Sequence, residues 1–95
     1  MNFGQPVARI HETAIFVAPT ETGGERALYR VLLGELPGGR GYLFAMELPW
    51  GSHEREQDFD TLAEACEVAD GIYQLWPDAG VWRIERRGWQ RPAAP

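Results

Sequence analysis

Glu54, Glu56, Asp58 and Asp60 fall on every second position of the segment HEREQDFD. If that segment is extended, all four carboxylates point to one side, because side chains alternate along a strand. Three kinds of chemistry suit such a row. It can form the charged, solvated edge of a sheet that stops other sheets from adding to it. It can be an acidic stripe that meets a basic partner surface. It can hold Mg²⁺ or Ca²⁺, but that calls for a loop geometry and a carbonyl-rich context that this stretch lacks. A close carboxylate pair also suits acid–base work, yet nothing nearby suggests a substrate pocket.

The other reactive side chains are scattered. His11, His53 and Cys66 lie far apart and at no zinc-like spacing. Cys66 falls on the apolar stripe of a helix and reads as a small core residue, not a nucleophile. No Ser or Cys sits in a nucleophile motif. Gly34, Gly38, Gly39 and Gly41 match neither the phosphate-binding loop nor the dinucleotide fingerprint. No catalytic residue, metal or cofactor is expected, and the chain reads as a non-enzyme.

Tryptophan and arginine are the other chemistry-bearing types. There are four tryptophans, Trp50, Trp76, Trp82 and Trp89, where a small core needs fewer. Every basic residue is arginine, as a GC-rich genome would produce. The C-terminal segment interleaves Trp82, Arg83, Arg86, Arg87, Trp89 and Arg91. These types dominate protein-interface hot spots. They also suit single-stranded nucleic acid, by stacking and phosphate contact. The plainer reading puts Trp82 in the core and pairs the arginines with nearby carboxylates. Trp50 sits on a turn between Pro49 and Gly51, and Trp89 lies beyond the last strand. A tryptophan not needed by the core reads as a contact residue. The expected partner surface is therefore Trp50, His53, Glu54, Glu56, Asp58, Arg83, Arg87 and Trp89.

The elements that must position these residues are legible. Residues 7–18 form a strand bracketed by Pro6 and Pro19, with ambiguous facing. Residues 26–36 form a second, with Ala27, Tyr29, Val31 and Leu33 towards the core and Leu28, Arg30 and Leu32 away from it. TETGGE (20–25) and PGGRG (37–41) are turns. Residues 42–48 form a third strand that buries Tyr42, Phe44, Met46 and Leu48. Residues 53–59 are polar on both faces until Phe59, so they belong at an edge or in a protruding arm.

A helix follows at about residues 61–76. Thr61 and Glu64 make a capping box. Leu62, Ala65, Cys66, Ala69, Ile72, Tyr73 and Trp76 make the apolar stripe, and Pro77 stops it. Residues 81–87 are the last strand, with Trp82 and Ile84 inward. The expected fold is α+β: a mostly antiparallel sheet of four to five strands, packed on one face by a single helix, in the order β-β-β-(β)-α-β. One domain is expected over residues 1–88, with residues 89–95 a flexible tail.

At 95 residues the chain has the length of one domain. Its net charge is −5. Residues 1–82 carry five arginines against thirteen carboxylates, a net −8, and residues 83–95 carry four arginines against one, a net +3. The acidity disfavours binding driven by phosphate contacts, although the basic end leaves nucleic acid possible. One cysteine cannot form an internal disulfide. No signal peptide or membrane-length apolar run is apparent, so a cytoplasmic, non-membrane protein is expected.

Phe59, Asp60, Thr61, Leu62, Glu64 and Ala65 close a polar strand and open a helix. This junction resembles that of the three-stranded DNA-binding modules at the front of tyrosine recombinases. It is also similar to junctions in small phage-encoded inhibitors of bacterial defence systems. The likeness spans residues 59–65. The recombinase modules read DNA with a basic sheet, whereas the matching strand here carries Glu54, Glu56 and Asp58, and the resemblance transfers no site residue.

The function expected is a small, acidic, non-catalytic protein-binding domain, monomeric or homodimeric. It would be a bacterial or phage and mobile-element regulator or inhibitor, for example of the anti-CRISPR type, docking on a larger macromolecule. One alternative is a nucleic-acid-binding module using the Arg/Trp-rich C-terminal strand, which predicts steeply salt-sensitive binding. The other is a small accessory subunit of an enzyme, which predicts a pocket with convergent polar groups.

Overall fold

A computed structural model describes residues 7–48 and 53–87, with the side chains of His53 and Glu54 left out. Strands β1 (Arg9–Pro19), β2 (Glu25–Glu35), β3 (Tyr42–Glu47) and β4 (His53–Phe59) follow one another as an antiparallel meander. Helix α1 (Leu62–Tyr73) then carries the chain back over one face of the sheet. Strand β5 (Val81–Arg86) pairs antiparallel with β1. The five-stranded order is β4-β3-β2-β1-β5, so β4 and β5 are the two edges.

The turns are tight for local reasons. Gly41, at φ +118°, enters β3 where a side chain would collide with the Phe59 carbonyl oxygen. Only glycine fits there. Gly80, just before β5, passes so close to the Val17 carbonyl oxygen and the Phe16 ring that a Cβ has no room.

The helix forms as its sequence predicts. The Thr61 hydroxyl accepts from the Glu64 backbone N–H at 3.2 Å and donates to the Glu64 carboxylate at 2.8 Å. Ala65, Cys66 and Ala69 are its buried residues, small enough to bring the helix close to the sheet. They pack on Ala14, Val31, Leu33, Phe44 and Met46, with Leu62, Val68, Ile72 and Tyr73 around them. Burying an aliphatic side chain contributes about 1.5–3 kcal/mol, so this cluster is the main driving force for the fold.

Four expectations need correction. The helix stops at Tyr73, so Trp76 does not lie on its stripe. The Leu75 N–H still bonds back to the Ile72 carbonyl, and Trp76 then turns left-handed at φ +57°. Pro77 disfavours the right-handed helical conformation for the residue before it.

The first strand's mixed facing also has a cause. The β1–β2 register shifts between Ile10 and Glu12, making His11 a bulge residue. Ile10 therefore packs on the far face with Leu32, while Glu12, Ala14 and Phe16 turn towards the helix side. A second shift, between Phe16 and Val17, moves Ala27 off the face shared by Tyr29, Val31 and Leu33.

The sheet is not apolar on one face only. Leu32, Leu36, Leu43 and Ala45 form a second buried cluster, covered in part by Val7 and Ile10. Finally, Ile84 faces the helix side yet stays 38 % exposed. α1 packs mainly over β2, β3 and β4 and reaches β5 at Trp82 through Tyr73, which leaves Ile84 partly uncovered. Among the described residues no helix is long and apolar enough to cross a membrane.

Candidate functional site

The acidic segment is a true sheet strand, not a protruding arm. β4 pairs along β3 from Tyr42–Phe59 to Glu47–His53. The register shifts between Met46 and Glu47, so Arg55 and His53 find partners and Glu54 is passed over. Past the bulge, the regular ladder holds Glu56 and Asp58. Glu56 opposite Ala45 and Asp58 opposite Leu43 share the face away from the helix, and Asp60 is an exposed bend residue beyond the strand. On the helix face, the Arg55 guanidinium lies 5.7 Å from the centre of the Phe44 ring, a cation–π contact.

The basic segment occupies the opposite edge. Arg83 and Glu85 face away from the helix, opposite Ile15 and Thr13. They share that face with Glu56 and Asp58, but four strand spacings, about 19 Å, separate the two edges. The arginines therefore do not neutralise the β4 carboxylates. Arg83 pairs with Glu25 at the start of β2, and Arg87 lies 3.9 Å from Glu85. Both pairs are exposed and contribute at most about 1 kcal/mol each.

Arg86 behaves differently. It turns to the helix side, and its Nε donates to Glu12 Oε1 at 2.8 Å. Tyr73 of α1 donates its hydroxyl to Glu12 Oε2 at 2.7 Å. Glu12 is fully buried. One carboxylate thus ties the helix end and the β5 edge to β1. Sequence reading missed this centre, though a signal existed: Glu12 shares strand parity with Ala14 and Phe16. His11, buried beside it at the bulge, lies 3.5 Å from the Glu35 carboxylate.

An aromatic group fills the gap left by the short helix. Trp76 stacks on Tyr29 at 4.9 Å and 13°, and its ring meets Phe16 edge-on at 5.6 Å. Trp82 packs on Phe16 and Tyr73 at 5.1 and 5.4 Å. A left-handed backbone at a non-glycine residue costs about 1–2 kcal/mol. Trp76 keeps that conformation because stacking offsets it. Leu75, Trp76, Val81 and Ile84, all partly exposed, lie along this end and the β5 edge.

Of the residues expected to meet a partner, Glu56 and Asp58 come together on one edge and Arg83 and Arg87 on the other end of the sheet. His53 is the first residue of β4, and Glu54 is passed over in the ladder. Trp50 and Trp89 lie outside the described residues. Among those described, no group of His, Cys, Asp and Glu is placed to hold a metal, and Cys66 is buried in the core. Comparison with protein-family models, curated proteins and solved structures found no match to the chain, and the site has to be read from its own chemistry.

Proposed function

We propose that this chain is a small, non-catalytic protein-binding domain that docks its acidic β4 edge on a basic surface of a larger partner. The segregation of charge between the two edges supports this reading. β4 is a terminal strand with Glu56 and Asp58 side by side on one face. Asp60, directly beyond β4, adds a further exposed carboxylate. Arg83, Arg86 and Arg87 each face a carboxylate of this chain. That matching weakens the alternative of a phosphate-binding arginine strand.

In its most concrete form the domain is a cytoplasmic regulator or inhibitor of the bacterial, phage or mobile-element kind. Its acidic edge would occupy a groove built for nucleic acid, as an anti-CRISPR-type inhibitor does. Complementary charge speeds and orients such an encounter. The test is affinity capture from a bacterial lysate followed by titration of the purified partner. Reversal of β4 charge (Glu56→Lys with Asp58→Lys) is expected to weaken that complex at least about tenfold, and Arg87→Ala to leave it unchanged. A complex indifferent to the β4 reversal, or a wild-type shift of labelled DNA at low salt, would overturn the reading.

A further inference from the structure

β5 carries an edge whose chemistry fits its own copy. The Arg87 N–H donates to the His11 carbonyl at 2.9 Å. In an antiparallel ladder the direction of the backbone groups alternates. Val81, Arg83 and Glu85 therefore turn their amides and carbonyls to β1, while Trp82, Ile84 and Arg86 turn theirs to the open side. No strand pairs with that side among the described residues.

We infer that two copies of this chain pair β5 to β5, antiparallel, about a two-fold axis at Ile84, joining their sheets edge to edge. The register is chosen by charge. Centring the axis on Arg83 sets Arg83 against Arg83. Centring it on Glu85 sets Glu85 against Glu85 and Arg83 against Arg87. Centring it on Ile84 sets Ile84 against Ile84, Trp82 against Arg86, and Arg83 against Glu85 twice by symmetry. The outward backbone groups of Trp82, Ile84 and Arg86 then find one another. The Arg83–Glu85 pairs fall at the non-hydrogen-bonded positions, where side chains approach most closely.

The side chains are free to respond. Arg83 is 62 % and Glu85 72 % exposed, and their present pairs are surface ones. Ile84 is 38 % exposed on the side that α1 leaves partly uncovered. The interface repeats one patch on both copies, as two-fold association requires. Self-pairing uses β5 alone and leaves the β4 edge free for another partner.

Sedimentation of the intact chain from about 1 μM to about 1 mM tests the pairing, over the range where a small interface is read. A concentration-dependent dimer is expected. Arg83→Glu and Glu85→Arg should each weaken it at least about tenfold, since each turns two attractive pairs into repulsive ones. The double variant R83E/E85R restores opposite charges in this register and should return the dimer to within about threefold of wild type. A chain monomeric throughout, a dimer insensitive to the single changes, or a double variant that stays monomeric would each overturn the inference.

Thermal melts of the variants serve as the check that each is folded. Ile84→Cys gives an independent reading. Facing Cα atoms at such a position lie about 5.5 Å apart, within disulfide reach, while Cys66 is buried. Oxidation is expected to yield a covalent dimer, and its absence would count against the axis.

Discussion

The two edges of the sheet meet a copy of themselves in opposite ways. On β4 the residues whose backbone groups point outward are Glu56 and Asp58, with the inward set Arg55, Gln57 and Phe59 bonded to β3. Any antiparallel self-pairing of β4 through those groups sets acid against acid. On β5 the outward set is Trp82, Ile84 and Arg86, and one register sets Arg83 against Glu85. Both edges are charged, so charge alone does not blunt an edge. The sign pattern at each strand parity decides whether an edge repels its copy or accepts it.

The largest expected effect breaks the difference in how the edges are held. Arg86→Ala removes the guanidinium from the fully buried Glu12. A loss of about 2–3 kcal/mol is expected in urea unfolding, below the range for a fully buried pair because water reaches Arg86. The matching truncations on β4, Glu56→Ala or Asp58→Ala, should stay within about 0.5 kcal/mol. Equal losses at the two edges would show that Glu12 does not anchor β5.

Trp76 sharpens the comparison at the β5 end. Trp76→Ala should cost about 1–2 kcal/mol through the lost stacking on Tyr29 and Phe16. Trp76→Gly should recover about 1 kcal/mol of that, because glycine relieves the left-handed backbone. A glycine variant less stable than the alanine variant would contradict the offset between strain and stacking. Tyr73→Phe, which removes one hydrogen bond to Glu12, should cost about 1 kcal/mol by the same unfolding assay. Smallest of all, Glu56→Lys with Asp58→Lys should leave the melting temperature nearly unchanged while weakening capture of a partner.

Much of this fold is legible in the sequence, and several of the parts that are not share one physical cause. The helix could be read because Thr61, Glu64 and the Leu62–Ala65–Ala69 spacing agree. On β3, Phe44 and Met46 are buried as their alternation predicts, but Tyr42 and Leu48 are only half-buried, and Leu43, Ala45 and Glu47 are buried on the other face. Several illegible positions lie beside bulges. His11 in β1, Leu28 in β2 and Glu54 in β4 each insert a residue that flips the strand's facing. Alternation read straight through such a point assigns the wrong side, as it did for Ala27.

The buried Glu12 alternates without interruption with Ala14 and Phe16, and the bulge at His11 obscures that face only by turning Ile10 to the other side. Trp76 escaped because the helical period runs past the point where Pro77 ends the helix. Of the candidate site, Glu56, Asp58, Arg83 and Arg87 were named from sequence. Their separation onto two edges needed the strand order, which local pattern does not contain.

Amide hydrogen exchange at low and high protein concentration tests the contrast between the edges most directly. The outward N–H groups of Trp82, Ile84 and Arg86 should gain protection as concentration rises, and those of Glu56 and Asp58 should not. Equal behaviour at the two edges, with both rising or both unchanged, would contradict the account.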